Sequence, residues 1–406
     1  MRILIGVGRW EAIGGSERYA LDVTRSLARA GHDITVLCGG GEAPLPRGVR
    51  RIELSGFGDL WAPESRAELA GILAGLSPDV VLQLSPTAPW VSAELVHAAP
   101  LVRFVQDHTL FCPGLNRLHR DGGRCEEPPG VACHKRLFLR AGCRDLRPGR
   151  GALDRIKERT QELDVHRDAA RLLVASGWMR DQLVGAGIPA DKVTILPYPT
   201  VAGTTELQSA PLSLELEAFL AAGPAPVIVS ARLVPEKGVD VALDALVKLR
   251  HARAVIAGDG PLLGELRQRA NDLELNQRVH FTGWIDHGQV EALLPRCSVL
   301  SMPSTWDEPF GLVGIEAMAH GIPVAASDVG GVPEWLAEGE GGVRVIPGDA
   351  ADLARVLRVW LADPRLRERI GQAGRARVER NFRPQQHVVA LETILTDASR
   401  SSVRVN

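Results

Sequence analysis

The apolar positions of this chain fall into short runs. The first spans Arg2 to Val7 and is followed by a glycine-rich stretch and a helical stretch from about Ser16 to Ala30. Further runs in the first half read "DITVLC", "DVVLQL", "LVRFV", "RLLVAS" and "VTILPYP", with helical stretches between most of them. Short β-rich apolar runs alternating with helices predict a parallel sheet covered on both faces. Residues 108–150 break the alternation. They are rich in Gly, Pro, Cys and Arg and read as a long irregular insertion. Residues 200–224 lose the alternation again and read as an interdomain connection. The pattern then restarts with "PVIVSAR", "ARAVIAG", "RVHFTG", "SVLSMPS", "PVAASD" and "VRVIP", and the tail from about Ala351 is helical. The expectation is an α/β chain with two doubly wound domains, 1–200 and 201–380, and a C-terminal helix and tail over 381–406.

A length of 406 residues suits two domains. Hydrophobic residues make up 45% and charged residues 24%, the balance of a globular protein. No apolar run approaches the roughly 18–20 residues of a membrane span. The start "MRILIGVG" reads as a first strand rather than a signal segment, so a cytoplasmic protein, soluble or peripherally attached, is expected. The net charge of −2 argues against a nucleic-acid partner. Between His134 and Arg171, eleven Lys/Arg face six Asp/Glu. That local excess is either a salt-bridged helical face or a surface for an anionic acceptor or lipid headgroups.

Six cysteines are present. Cys38 and Cys297 stand alone in strand-like contexts. Cys112, Cys125, Cys133 and Cys143 cluster, but their gaps of 12, 7 and 9 residues lack the paired spacing of a zinc ribbon. A structural metal site, reduced thiols and disulfides all remain open from the spacing.

In open α/β sheets, ligands bind outside the carboxyl ends of the strands, so the loops after strands are the places to search. After the first strand, Gly14 and Gly15 precede Ser16 and Glu17 at a helix start, where glycines and free N–H groups suit phosphate. The stretch is not a dinucleotide fingerprint, because Glu11 stands where the third glycine belongs and "CGG" ends the second strand without an acid. After "PVIVSAR", the loop "LVPEKG" brings two cations, Arg232 and Lys237, to a strand-to-helix turn. Lys237 near a helix start has no support from the helix dipole, and a bound anion would repair this. "DGP" and "WIDHGQV" follow two further strands, and the Trp284 region could wall a flat base.

Residues 308–316 read "EPFGLVGIE". Pro309 fixes the entry to a helix that ends near Gly321, and Phe310, Gly311 and Leu312 lie at its start. A fully helical segment would separate Glu308 from Glu316 by about 12 Å. That is near the span of a sugar, a diphosphate and a ribose, with one carboxylate for the sugar, the other for the ribose, and the helix start for the phosphates.

This segment resembles the E-x7-E motif of glycosyltransferase family 4. "SARLVPEKG" resembles that family's Arg–Lys phosphate loop, "GGSE" its N-terminal donor-phosphate loop, and "MPSTWDEPFGLVGIEAMAHGIPVAASDVGGVPEW" its pattern throughout. The resemblance implies the GT-B fold, two Rossmann-like domains facing a cleft, with the C-terminal helix returning to the N-domain. It implies retaining transfer from a UDP- or GDP-linked sugar without a catalytic metal, and no D-x-D triplet occurs here. The acceptor would be a glycan, a lipid-linked or a small-molecule hydroxyl, with contact to a membrane surface open. In "RFVQDHTLFCPG", His108 occupies the place of a family histidine near the donor sugar and is expected to point toward the cleft. Catalytic roles then fall to His108, Glu308, Arg232 and Lys237. Donor binding falls to Gly14, Gly15, Arg232, Lys237, Trp284, Phe310, Gly311, Leu312 and Glu316. Two features depart from the usual family pattern: Ala231 replaces a glycine, and the four-cysteine insertion, a candidate structural zinc site, occurs in only some members. The same fold could serve a nucleotide-sugar epimerase or a sugar phosphorylase, and a nicotinamide oxidoreductase is the rival of a different class.

Overall fold

The computed structural model describes every residue except 13, 55–63, 121, 128–130, 138–141, 145–149, 201–209 and 402–406. The chain forms two units, Met1–Pro197 with Gln385–Asn406, and Tyr198–Pro384.

The first unit holds seven parallel strands: β1 (Arg2–Val7), β2 (Asp33–Cys38), β3 (Arg50–Glu53), β4 (Val80–Gln83), β5 (Leu101–Val105), β6 (Arg171–Val174) and β7 (Val193–Ile195). Their order is β3-β2-β1-β4-β5-β6-β7. The central strands are buried along nearly their whole length, as a parallel sheet covered on both faces requires. The edge strand β3, "RRIE", is charged and mostly exposed, a composition that discourages further pairing.

The helix Pro384–Ser401 belongs to this unit almost entirely. His387 accepts from the Tyr19 hydroxyl at 2.8 Å and donates to the Pro197 carbonyl at 2.8 Å, and His32 meets Glu392 at 2.8 Å. The C-terminal helix therefore returns to the first unit.

The second unit holds six parallel strands: β8 (Val227–Ser230), β9 (Ala254–Ala257), β10 (Val279–Gly283), β11 (Val299–Met302), β12 (Val324–Ser327) and β13 (Gly342–Val345). Their order is β10-β9-β8-β11-β12-β13. The order reverses direction at β8 and β11, which is where a doubly wound sheet binds its ligand. The stretch 200–224 is not all connection: Ser213 caps a helix, Leu214–Ala221, by accepting from the Leu216 N–H at 3.2 Å. Residues 201–209 lie outside the described residues.

Among the described residues, no helix is long and apolar enough to cross a membrane. The basic stretch 134–171 falls partly outside the described residues. Within it, Arg159 pairs with Glu158 and Arg167 with Asp164, so part of the excess is a salt-bridged face.

Candidate functional site

In the second unit three neighbouring strands, β8, β11 and β12, send loops to one end of the sheet. After β8 the chain makes a tight turn, Pro235–Lys237, and Gly238 follows in the left-handed region at φ 61°. A Cβ on Gly238 would stand 2.0 Å from the Pro303 carbonyl oxygen, so only glycine lets this turn press against the loop after β11. The Thr305 N–H donates to the Glu236 carbonyl at 2.9 Å and ties the two loops together.

That approach brings Lys237 to Glu308. Lys237 Nζ donates to Glu308 Oε1 at 2.6 Å, and Ser304 Oγ donates to the same oxygen at 2.6 Å. The Lys237 ammonium also lies 5.1 Å from the centroid of the Trp306 ring, a cation–π geometry. Glu308 is 4% exposed. Burial pushes its carboxyl up, but the Lys237 charge and hydrogen bonds from Lys237, Ser304 and Trp306 outweigh burial and bring it below the ordinary carboxylate value. Glu308 is therefore held charged.

The loop after β12 supports the Glu308 backbone. The Gly331 N–H donates to the Glu308 carbonyl at 2.8 Å, and a Cβ on Gly330 would meet that carbonyl at 2.1 Å. Trp335 Nε1 donates to the Phe310 carbonyl at 2.6 Å, and its ring fills the space a Cβ on Gly314 would need. These three residues belong to the site's frame and were not singled out from sequence; the signal was the glycine pair and tryptophan of "GGVPEW".

The helix that follows is Leu312–Ala319, with Gly311 before it at φ 100° and no side-chain cap. Gly311 has no side chain to cap the first N–H groups of this helix, and an uncapped helix start is the arrangement that attracts an anion. Only the second half of the Glu308–Glu316 spacing is helical, because the left-handed Gly311 breaks the approach. The helical rise from Leu312 to Glu316 is about 6 Å, so the 12 Å estimate for a continuous helix does not apply. Glu316 is half-buried on this helix. Phe310 is buried, its ring 5.6 Å from Tyr198 and 6.0 Å from Phe382, so its side chain is committed to the core and only its main chain can serve a ligand.

Arg232 is exposed and makes no ion pair among the described residues. Its loop is fixed by the loop after β9: a Cβ on Gly258 would lie 1.9 Å from the Ala231 carbonyl oxygen, and one on Gly260 would lie 2.6 Å from that of Leu233. The glycines that this close contact needs are thus in the facing loop, and Ala231 is accommodated. Trp284, directly after β10, is 57% exposed and can offer a flat face.

In the first unit, Gly14 precedes the helix Gly15–Arg29, also without a side-chain cap. A Cβ there would meet the Glu17 carboxylate at 2.8 Å. His108 opens a short turn, His108–Leu110, after β5. Its side chain is fully buried, with ring centroids 5.7 Å from Phe111 and 5.4 Å from Trp178. The Asp107 carboxylate caps this turn by accepting from the Thr109 N–H at 2.9 Å.

Cys112, Cys125, Cys133 and Cys143 line one cavity of about 30 Å³ together with His119. The structural zinc is not supported. Among the described residues, no set of three or more His, Cys, Asp or Glu could hold a metal ion. No cysteine is in a disulfide. Burial pushes the Cys112 thiol up to about 12, so in the absence of a metal it stays protonated and is a poor nucleophile.

Residues 218–377 match the family described as "Glycosyl transferases group 1", and residues 14–199 match "Glycosyl transferase 4-like domain". The chain is similar to a glycogen synthase of Mycobacterium tuberculosis, at 29% identity over 98% of this chain and 95% of that one. It is also 29% identical to an alpha-D-kanosaminyltransferase of Streptomyces kanamyceticus, over 51% of this chain and 55% of that one. Among solved structures, Anabaena HepE in complex with UDP aligns with a TM-score of 0.70 at 19% identity, covering 98% of this chain and all of that one. Sucrose-phosphate synthase from Thermosynechococcus elongatus aligns with a TM-score of 0.73 at 20% identity, covering 98% and 99%. These likenesses show that the two α/β units are those of the GT-B fold.

Proposed function

Since this chain belongs to the group 1 glycosyltransferases and is an enzyme of that kind, we propose that it moves a sugar from a UDP- or GDP-linked donor to an acceptor hydroxyl, with retention and without a catalytic metal. The observation that carries this reading is the cluster at the end of β8 and β11. A charged, buried carboxylate, a lysine and an uncapped helix start meet there within one set of interlocked loops. Lys237 has three N–H donors and uses one on Glu308, which leaves two for phosphate oxygens. Arg232 and the N–H groups near Gly311 and Leu312 add positive field where charge grows as the bond from C1 to phosphate breaks. The sequence of the first unit offers no carboxylate pair suited to a double-displacement nucleophile, so the transfer is a front-face substitution. The acceptor oxygen bonds to C1 on the side the phosphate leaves, and the departing phosphate oxygen takes the acceptor proton. Glu308 holds hydroxyls of the donor sugar, Glu316 those of the ribose, and Trp284 lies against the base. Gly14 and Gly15 approach the phosphates. His108 steadies the sugar.

The cations and helix start take the role that a metal bound by a D-x-D triplet plays elsewhere, and the sequence holds no such triplet. The acceptor is a glycan, a lipid-linked or a small-molecule hydroxyl, and attachment to a membrane surface belongs to the same proposal. The test is turnover of a panel of UDP-, GDP- and ADP-sugars with EDTA present, with product anomeric configuration read by NMR. Turnover of one donor with the anomer unchanged supports the reading. Inversion, or activity lost in EDTA and restored by Mg²⁺ or Mn²⁺, contradicts it.

A further inference from the structure

Away from these loops, the first unit holds a sealed polar cluster between β5 and the helix Arg150–Arg167. Arg103 of β5 is 2% exposed, and Glu162 and His166 of the helix are fully buried. Arg103 Nη1 donates to Glu162 Oε1 at 2.9 Å and to His166 Nε2 at 3.1 Å. Ser92 Oγ donates to the same Glu162 oxygen at 2.8 Å. Arginine only donates, so His166 Nε2 carries the lone pair, and its Nδ1–H donates to the Glu162 main-chain carbonyl at 2.7 Å. Burial, then the Arg103 charge, push the ring well below its ordinary value, which agrees with that neutral tautomer.

A sealed ion pair returns little net stability, and apolar side chains of equal volume often do as well or better. What such a pair does well is fix one register between two elements. Here the fixed elements are β5, which runs through Asp107 into the His108 turn, and the helix beside it. One turn before Glu162, Arg159 reaches across from the helix. Its Nη1 donates to the main-chain carbonyl of Thr109 at 2.7 Å. The N–H of the same residue is held by the Asp107 carboxylate at 2.9 Å. The residue next to His108 is thus held at both its N–H and its carbonyl, once from its own turn and once from the neighbouring helix.

We propose that Arg159 is a positioning residue for sugar transfer. It holds the turn so that the His108 ring keeps one orientation against Phe111 and Trp178, and the Arg103–Glu162–His166 cluster sets the depth from which Arg159 reaches. The inference rests on the assignment of His108 to the donor sugar.

The test is a double-mutant cycle of His108→Ala and Arg159→Met, read as kcat and donor KM with the donor chosen from the panel above, beside melting temperature. Alone, Arg159→Met lowers kcat about tenfold with donor KM nearly unchanged, the size of one charge-assisted hydrogen bond. Combined with His108→Ala, it costs nothing further, because the group it positions is gone. Arg159→Lys, which keeps the charge but not the planar fork, falls between wild type and Arg159→Met. Should Arg159→Met fail to fold, the cycle is run with Arg159→Lys, whose smaller loss must vanish in the same way. If His108→Ala is slow and the two losses multiply, Arg159 acts on the fold at large and the proposal is wrong while the donor site stands. Wild-type turnover of His108→Ala overturns both the assignment of His108 and the proposal.

Discussion

Glu308 in the second unit and Glu162 in the first are both buried carboxylates against a cation and a serine hydroxyl, yet their charges respond in opposite directions. For Glu308, burial raises the carboxyl, and Lys237 with three hydrogen bonds reverses it. For Glu162, burial raises the carboxyl and prevails over Arg103, Ser92 and Arg159. The cations differ too. The Lys237 side chain is partly open, while Arg103 is sealed and shares its guanidinium with His166. Position explains the contrast. Glu308 stands in a loop beyond a strand end, where partners converge from three loops. Glu162 stands midway along a helix packed on a sheet, where water is excluded from every side. A carboxylate kept charged beyond the carboxyl end of a strand stands where a doubly wound sheet meets its ligand, and one sealed behind the sheet is left to fix geometry. By linkage, Glu308 contributes stability above the ordinary carboxylate range and loses it as pH falls through its lowered value. Glu162 works in reverse: its raised value means its contribution is lost as pH rises.

The contrast breaks most sharply through the sealed pair. Arg103→Met leaves Glu162 buried without its cation and should cost roughly 3–5 kcal/mol in urea unfolding. Donor affinity measured by calorimetry should not move, and a large rise in Kd would join the two clusters that are separated above. Replacing both partners, Arg103→Met with Glu162→Leu, should recover most of the lost stability.

The C-terminal helix gives a pH test within the first unit alone. Burial lowers His387 to about 4, while its ring is committed as a neutral donor and acceptor to Pro197 and Tyr19. The folded value lies below the unfolded value of 6.5, so its contribution is complete above pH 6.5 and is lost as pH falls toward 4. The full loss is about 3 kcal/mol. Melting curves across that window should fall more steeply for wild type than for His387→Gln, and parallel curves would contradict the assignment. In the second unit, Lys237→Met should lower kcat/KM by about one to two decades, the value of a charge-assisted contact of roughly 1.5–3 kcal/mol. An Lys237→Met enzyme as fast as wild type would remove the cation from the transfer step.

The two-sheet fold was legible because parallel strands buried on both faces must be apolar runs, and most of the runs became strands. The edge strand "RRIE" was not legible, since an exposed edge has no reason to be apolar. The helix Leu214–Ala221 was missed because its sequence sits in a stretch that reads as linker. Glu308 and Lys237 were legible as motif residues. Their contact was not: they lie 71 positions apart and meet only because Gly238 lets one loop touch another. Phe310 looked like a ligand residue because it stands inside the motif, but an aromatic side chain beside Tyr198 and Phe382 is drawn into the core. His108 was visible, but what holds its turn was not: the Asp107 carboxylate takes the Thr109 N–H, and Arg159, 51 residues after His108, takes the Thr109 carbonyl.

The smallest predicted effect is also the sharpest. Glu316 is assigned to the ribose, which does not change during transfer, so Glu316→Ala should raise donor KM by about one decade and leave kcat nearly intact. Glu308 is assigned to the sugar, where charge and shape change, so Glu308→Gln should lower kcat by about one to two decades. The measurement that tests the central claim is turnover of these two variants at saturating donor. Glu308→Gln should lose most of its turnover there and Glu316→Ala little. Equal losses, or a larger loss for Glu316→Ala, would contradict the claim.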